Sequence, residues 1–462
     1  MTNSTPTAGS AGGFDEELEL LAQLLGEDDA PHAGTITARP RGAAMPTSFA
    51  QELLWLLDRA NPGLTAYNMT IARRLTGPLD VAALRTALDA LVARHEALRT
   101  RFAADEARHE PVQLIDPPTP APLEVVDLAT FPADEREREA ERIVRSRARV
   151  PFDMAHEHLF RATLVRLSGD EHVLVIETHH IVMDGWSLGV LFREARDVYE
   201  ARVGGRAAEL PPLSIQYADF AAWQRERLAG DRLDGLLAFW RQQLDGALDP
   251  LDLPTDFPRP AVPSFAGARH SVVLPVELRD AVHALAQRSG ATPYLVLLAA
   301  YMTVLHRYTG RPHVLVGSGV AGRAEPELTG VVGYVNNTVI QRGDFDGDPT
   351  FAELLGRVRE RAASALDHQE VPLERLALEL RDADGKVRSA APFDVVLTMQ
   401  DAEATTLTLG DVRGSAFGVD AGATKFDLTL FAADRLQGLA LTLAYRTDLF
   451  TEAYAARFLG HL

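Results

Sequence analysis

The chain has 462 residues, of which 46% are hydrophobic and 24% charged, a mix typical of folded globular proteins of two or three domains. The formal net charge of −19 and the absence of cysteine argue against nucleic acid or anionic lipid as partners and exclude disulfides, thiolate-bound metals and a cysteine nucleophile. Because the chain shows no signal-peptide pattern and no apolar run near the roughly 20 residues that span a bilayer, we expect a cytoplasmic protein without membrane contact.

Residues 1–33 are expected to form a flexible leader that contains one short helix. Met1–Gly13 is rich in Ser, Thr, Gly and Ala and cannot bury enough apolar surface to fold by itself. Apolar residues then recur at the spacing of one helical stripe, at Phe14, Leu18, Leu21 and Leu25. This amphipathic helix is either a docking element for a partner protein or a helix that packs on its own domain, and the spacing allows both.

Helices and a β-hairpin are predicted in the first half of the chain. From residue 79 to 99 the apolar residues follow a helical stripe. Phe160–Leu167 and His172–Thr178 are strand-like runs separated by a turn cluster, which predicts a β-hairpin. A second helical stripe begins after Gly185, and Ser187 is in position to cap it. The end of the hairpin is therefore a strand-to-helix loop.

A proline-rich segment separates this part of the chain from a second mixed α/β unit. Prolines stiffen the segment that can join two lobes, at positions 250, 254, 258, 260 and 263. The predicted elements that follow are a strand at 270–274, helices at 276–288 and 294–306, a strand at 314–316, a hairpin at 426–443 and a final helix at 453–462.

A pair of histidines, His179 and His180, ends the predicted hairpin and is followed by Asp184 and Gly185. A neutral imidazole can accept a proton from an amine or hydroxyl near pH 7, which is general-base chemistry. A carboxylate in this position could pair with an arginine, and a glycine after it would let the loop turn tightly. Two structural histidines at a strand end are the alternative, and the spacing alone leaves both open.

A metal site at these residues is the weaker hypothesis. His179, His180 and Asp184 are all possible zinc ligands. Successive side chains at the end of a strand point to opposite faces, however, so the two histidines cannot easily converge on one ion, and the chain has no HExxH helix. We therefore expect no metal, and we expect one histidine of the pair to be buried and structural.

A series of short motifs runs in order along the chain. The first two are SxAQxRLW, present as Ser48, Ala50, Gln51, Leu54 and Trp55 with 66–68 after it, and RHExLRTxF at 94–102. The next are HHxxxDGWS at 179–187, YxDFAxW at 217–223, Gly333, Tyr334, Asn337 and Thr338 with Arg342, HQExPxE at 368–374, and a weak last motif at Arg381 and Asp382. By these motifs the chain, from about Pro46 onward, resembles the condensation domains of nonribosomal peptide synthetases, members of the chloramphenicol-acetyltransferase-like superfamily.

Several positions depart from the family pattern and bear on subtype and substrate. Leu53 stands in place of an arginine, Asn336 replaces a usual apolar residue, and the motif at Arg381 lacks most of its consensus. The HHxxxDG motif is intact, whereas heterocyclisation relatives carry aspartates there and cytochrome-recruiting relatives have a degraded version. Ser187 is followed by Leu188 rather than by the tryptophan usual in epimerisation domains.

The resemblance implies an α/β (α+β) fold of two chloramphenicol-acetyltransferase-like lobes, arranged in a V around a central tunnel. We place the N-terminal lobe at 34–215 and the C-terminal lobe at 216–462, with His180 at their junction. The two tunnel mouths would receive an upstream donor and a downstream acceptor peptidyl carrier protein, whose phosphopantetheine arms carry the substrates. The chain would have no cofactor of its own, and we expect a monomeric unit that works beside adjacent synthetase domains.

The resemblance also implies an amide-forming acyltransferase in which His180 is the catalytic residue. Support for the motif would come from His179, Asp184, Gly185, Arg94 and Arg99, with Arg94, Arg99 or Arg342 as the ion-pair partner of Asp184. Residues near substrate in the tunnel would be Trp186, Ser187, Asn337 and Thr338. Two other functions stay open: a coenzyme A-dependent or ester-forming acyltransferase of the same superfamily, and a catalytically silent platform that docks carrier proteins.

Overall fold

The computed structural model of the chain describes residues 35–105, 110–249, 251–261, 264–373, 375–376, 392–400, 406–418 and 422–462. The predicted leader at 1–33, Glu374 and the weak motif at Arg381 and Asp382 lie outside this part of the chain. Helices and strands alternate along the described ranges, which confirms the mixed α/β class. Within those ranges, no helix combines the length and apolarity needed to cross a bilayer.

The helices of the described chain surround its sheets. They are α1 (Phe49–Ala60), α2 (Val81–Arg94), α3 (Ala133–Ala148), α4 (Gly185–Val203), α5 (Tyr217–Arg227), α6 (Gly230–Leu244), α7 (Val276–Arg288), α8 (Pro293–Thr309), α9 (Phe351–Asp367) and α10 (Glu452–His461). Two short 3₁₀ turns are added at Glu96–Arg99 and Pro326–Leu328.

The strands of the described ranges form two six-stranded sheets and a small three-stranded one. They are β1 (Met45–Pro46), β2 (Asn68–Thr76), β3 (Thr100–Ala104), β4 (Pro111–Ile115), β5 (Leu123–Asp127), β6 (Phe160–Arg166), β7 (Glu171–His179), β8 (Gly267–Leu274), β9 (His313–Val320), β10 (Asn337–Asp344), β11 (Val395–Met399), β12 (Thr408–Leu409), β13 (Val412–Ala416), β14 (Leu428–Arg435) and β15 (Gly438–Arg446). The first sheet has the order β12-β13-β2-β7-β6-β5, the second β10-β9-β11-β14-β15-β8, and the small sheet β1-β4-β3.

Both predicted hairpins are confirmed. In the first sheet, β6 and β7 pair antiparallel with Phe160 opposite Thr178. In the second sheet, β14 and β15 pair antiparallel with Leu430 opposite Leu443. The alternating apolar residues of these strands face the helices that cover each sheet, so the period-two pattern of the sequence is the pattern of the core.

Two helix boundaries differ from the prediction. α2 ends at Arg94 rather than near 99, because His95 leaves the helical conformation and its Nε2 lies 2.7 Å from a carboxylate oxygen of Glu194. α4 begins at Gly185 as predicted, but its cap is Asp184, whose Oδ1 accepts the Ser187 backbone N–H at 2.8 Å. Ser187 therefore lies inside the first turn instead of capping it.

The first sheet also takes strands from the second half of the sequence. β13 pairs antiparallel with β2, so residues 412–416 extend the sheet that contains the histidine pair. Leu328, Val331 and Val332 are buried in the same apolar core as the helices on that sheet. In the described part of the chain, residues beyond the boundary predicted between 215 and 216 thus complete the core around β7.

Candidate active site

The histidine pair lies where β7 ends and α4 begins. β7 is an inner strand of the first sheet, paired with β2 on one side and β6 on the other. Beyond the strand, the His180 backbone N–H donates to the Tyr67 carbonyl at 2.9 Å, and the Val182 N–H donates to the His179 carbonyl at 3.1 Å. These bonds fix the path of the loop before the helix starts.

His179 is enclosed and has a local structural role. Its side chain is buried at 4% exposure, with its ring tilted against Tyr67 and edge-on to Phe152. Its Nδ1 accepts the backbone N–H of Ile181 at 3.2 Å. Burial and the charge of Lys425 lower the pKa of His179 to about 3, so the ring is neutral at physiological pH.

His180 packs on a different aromatic ring and leaves one ring nitrogen accessible. Its ring centroid lies 4.6 Å from that of Tyr334. Nδ1 is enclosed without a hydrogen-bond partner among the described residues, which leaves Nε2 as the accessible ring nitrogen. Burial and the Lys425 ammonium hold the pKa of His180 well below its usual value, while the Asp184 carboxylate acts in the opposite direction. The ring is therefore neutral at pH 7 and can accept a hydrogen bond.

Asp184 anchors the histidine loop to the second half of the chain. Its Oδ2 accepts from Arg323 Nη1 at 2.8 Å and from the backbone N–H groups of Val335 and Asn336, each at 3.1 Å. Burial alone would raise the pKa of Asp184, but Arg323 and the hydrogen bonds from Ser187 outweigh it and hold the pKa below its usual value. Asp184 is an ionised, fully satisfied carboxylate and has no free lone pair for substrate chemistry.

The ion-pair partners that the sequence suggested for Asp184 are wrong. Arg94 pairs with Glu194 at 3.1 Å, and Arg342 pairs with Asp344 at 2.7 Å. Arg99 donates to the carbonyl of Asp116. Each of these arginines therefore binds another partner. Arg323 lies outside the motifs that carried the resemblance, and the fold brings it to Asp184.

The residues beside Asp184 connect the same two segments. Ser187 Oγ lies 2.6 Å from Asp184 Oδ1 and accepts the Gly333 backbone N–H at 3.1 Å. Trp186 Nε1 donates to the Thr329 carbonyl at 2.9 Å. Gly185 has no positive φ, and a Cβ added there would meet nothing within 4 Å. A tight turn is therefore not the reason for glycine at this position.

Asn337 and Thr338 lie at the start of β10 and hold a different segment. Asn337 Nδ2 donates to the carbonyls of Gln369 and Val371, each at 2.7 Å, and its Oδ1 accepts the Thr338 N–H at 2.8 Å. The Asn337 amide is thereby occupied with the HQExPxE motif. The structure groups Trp186 and Ser187 with the histidine loop but gives Asn337 a bracing role.

Two side chains near the histidines were not singled out by their chemistry in the sequence. Tyr334 was noted only as part of a motif, and its ring is the one that packs on His180. Lys425 belongs to none of the sequence motifs, although its charge acts on both histidines. The available signal was its rarity, because Lys386 and Lys425 are the two lysines among 46 basic residues.

Comparisons with known proteins agree with this geometry. A family model described as "Condensation domain" matches residues 43–462. The chain is 43% identical over 423 residues to a linear gramicidin synthase of Brevibacillus parabrevis, a match that covers 91% of this chain and 8% of that protein. The chain thus spans a small fraction of the length of the curated relatives it matches.

Solved structures show the same fold. The X-domain from teicoplanin biosynthesis matches with a TM-score of 0.82 and 29% identity, covering 92% of this chain and 94% of that chain. The first condensation domain of the CDA synthetase matches with a TM-score of 0.75 and 23% identity, covering 91% of this chain and 96% of that chain. The resemblance is therefore confirmed: the chain belongs to the condensation-domain family.

Proposed function

We propose that this chain joins a donor acyl or peptidyl thioester to the amine of an acceptor aminoacyl thioester, with both substrates on the phosphopantetheine arms of carrier proteins. The observation that carries the proposal is the His180 ring. It stands at the end of an inner strand with Nδ1 enclosed and Nε2 accessible, on a loop that Asp184 anchors. Such a ring can contact an amine in a tunnel between the two halves of the chain.

In this reaction the acceptor nitrogen attacks the donor carbonyl carbon. The C–N bond forms, the C–S bond breaks, and one proton leaves the nitrogen and ends on the departing thiolate. Nε2 of neutral His180 accepts a hydrogen bond from the amine, which aims the nitrogen lone pair at the carbonyl. Orientation of this kind accelerates the attack without requiring full proton transfer to the ring.

The surroundings of His180 favour this orienting role over that of a strong base. Nδ1 meets no carboxylate of the kind that stabilises the imidazolium in a Ser-His-Asp triad, as far as the described residues extend. The nearby Lys425 ammonium and burial both disfavour a positive ring. We therefore propose that His180 aligns the amine. Its Nε2 also helps the proton of the attacking nitrogen to pass towards the leaving sulfur.

Asp184 acts as a positioning residue in this proposal. Its hydrogen bonds from Arg323, Ser187, Val335 and Asn336 fix the distance between the histidine loop and the segment that carries Tyr334. Because Tyr334 packs on the His180 ring, the anchor holds the ring in its orientation as well as the loop in its place. Loss of the anchor would leave the histidine present but misplaced.

The partners of the proposed reaction are upstream donor and downstream acceptor peptidyl carrier proteins, with adjacent synthetase domains beside the chain. Support comes from the family match and from the small share of the relatives that this chain covers. The pantetheine thiols belong to the substrates, so the chain itself needs no cofactor for the step. We propose that the domain works as a single copy between its two carriers.

The experiment that tests the proposal mixes the chain with a donor carrier loaded with an acyl group and an acceptor carrier loaded with an amino acid. Intact-mass analysis of the acceptor carrier should show the mass of the acyl group added to it, and His180→Ala should abolish that product. His156→Ala, at an exposed histidine, is the matched control and should retain activity. Product formation that persists in His180→Ala would overturn the assignment, and carrier binding without product would favour a silent platform.

A further inference from the structure

Lys425 is a half-buried residue beside the active site that the proposed reaction has not yet used. It lies three positions before β14, so it is carried by the second sheet. The neighbouring Thr424 N–H donates to the Phe265 carbonyl at 3.0 Å, and Ala423 forms a β-bridge with Ala266. The backbone just before Lys425 is therefore held by residues 265 and 266.

Tyr67 connects Lys425 to both histidines. The Lys425 Nζ lies 4.5 Å from the centroid of the Tyr67 ring, within the range of a cation–π contact. The same ring lies 6.4 Å from the His179 ring, centroid to centroid, and the Tyr67 carbonyl accepts the His180 N–H at 2.9 Å. Tyr67 thus contacts the Lys425 ammonium through its ring and binds the His180 backbone through its carbonyl.

Within the described part of the chain, Lys425 forms no ion pair with a carboxylate. Arg323, which also lies near the histidine loop, is neutralised by Asp184 at 2.8 Å. Burial lowers the pKa of Lys425 to about 7. A cation left without a counter-ion in a poorly solvated place acts strongly on nearby titratable groups, because little solvent screens it.

We propose that Lys425 is a positioning residue of the condensation reaction, whose ammonium keeps the His180 ring neutral so that Nε2 stays available to the acceptor amine. This inference rests on the proposed function and deepens it. Positive charges on Lys425 and His180 repel each other. As the pH falls, Lys425 is protonated first because it has the higher pKa, and its charge then disfavours protonation of His180. As the pH falls, His180 stays neutral below the value of about 6.5 at which an isolated imidazole protonates.

The other titratable groups that act on His180 do not supply the positive charge that disfavours its protonation. His179, at the end of β7, is itself held neutral by burial. Asp184, at the start of α4, is the described carboxylate that favours a positive His180 ring, and its charge is balanced by Arg323. Among the described residues, Lys425 is therefore the cation that reinforces the effect of burial and helps to keep the ring neutral.

The direct test is the titration of the His180 ring by nuclear magnetic resonance in protein labelled at histidine, with His180→Ala to assign the signal. In the unmodified chain the ring should stay neutral well below the pH of about 6.5 at which an ordinary imidazole protonates. In Lys425→Met it should titrate at a pH higher by about one unit or more, because the like charge has gone. Lys425→Arg keeps the positive charge and should keep the ring neutral, which makes it the matched control.

The kinetic test uses the acidic limb of the pH profile of kcat/KM for condensation between loaded carriers. This limb should move to higher pH in Lys425→Met by the same amount as the ring titration, and it should stay in place in Lys425→Arg. A merely structural role for Lys425 would lower the rate equally at every pH. A parallel fall of this kind, without a shift of the limb, would overturn the inference.

The two tests separate this inference from the proposed function. An unchanged His180 titration in a folded Lys425→Met protein overturns the role of Lys425, whether or not the chain condenses carrier-bound substrates. A shifted titration supports the role of Lys425 in setting the charge of His180, even if no carrier pair gives product, and in that event the proposed reaction is the part that fails. Since the titration does not depend on turnover, a weakly active variant still gives a result.

Discussion

Asp184 and Arg323 are 139 positions apart in the sequence and form a paired contact, with Nη1 at 2.8 Å from Oδ2 and Nη2 at 3.2 Å from Oδ1. Both side chains are enclosed, at 0% and 2% exposure. The same carboxylate caps α4 and accepts two backbone N–H groups of the segment that carries Tyr334. One buried acid therefore sets the position of the histidine loop relative to the other half of the chain.

Asp184→Asn should strongly destabilise the protein. The substitution leaves the Arg323 guanidinium buried without its counter-ion, which typically costs about 3–5 kcal/mol. Chemical denaturation of the purified variant measures the loss in the free energy of unfolding. Asp197→Asn, at an exposed pair with Arg196, should change it by less than about 1 kcal/mol. A fully stable but inactive Asp184→Asn protein would instead point to direct chemistry at this carboxylate.

Replacing each histidine by alanine should have different effects: the change at His180 should lower activity, and the change at His179 should lower stability. His180→Ala removes the accessible nitrogen and should lower kcat/KM by about 100-fold or more, with little change in melting temperature. His179→Ala removes a buried ring that packs on Tyr67 and Phe152 and should cost about 1–3 kcal/mol of stability. If His180→Ala kept activity within about tenfold, or roughly 1.4 kcal/mol of barrier, the orienting role would be wrong.

The sequence predicted what depends on local pattern and on the family motifs. The β6–β7 hairpin follows from alternating apolar residues, and α4 follows from an apolar stripe with a strong cap beside it. The proposed catalytic role of His180 came from the resemblance, since spacing alone left structural histidines equally open. These features are encoded within short stretches of the chain, which is why they can be read from it.

What the sequence did not reveal depends on contacts between distant segments. Three arginines of the motifs were candidates for Asp184, but a carboxylate pairs with the guanidinium that the fold brings to it, here Arg323. The pairing of β13 with β2 joins residues 412–416 to the first sheet, and no local pattern marks that crossing. Lys425 precedes β14 of the second sheet and acts on histidines at the end of β7 in the first, and no short-range signal marks this proximity.

Gly333→Ala should disturb the support of His180. A Cβ at Gly333 would lie 1.9 Å from the nearest atom of the Tyr217 ring, which packs across the glycine. The ring must move, at a cost of about 1–3 kcal/mol, and with it the hydroxyl that donates to the Tyr334 carbonyl at 2.8 Å. Melting temperature and condensation rate should both fall. Gly235→Ala, in α6 with nothing within 4 Å of the added Cβ, should be neutral or slightly stabilising, and equal effects of the two changes would contradict this account.

Carrier-bound substrates should be strongly preferred over free thioesters of the same acids. The chain has no cysteine to hold an acyl group as its own thioester, and docking of the proposed carrier supplies binding energy that a small thioester lacks. With a net charge of −19, docking to an acidic carrier cannot depend on bulk attraction, so association should be weak and change little with salt. The measurement compares kcat/KM for donor and acceptor on carriers with kcat/KM for their coenzyme A and short pantetheine thioesters, at low and high ionic strength. Equal values for carriers and coenzyme A thioesters would place the chain among coenzyme A-dependent acyltransferases, because the amine would then reach His180 without the carrier surface taking part.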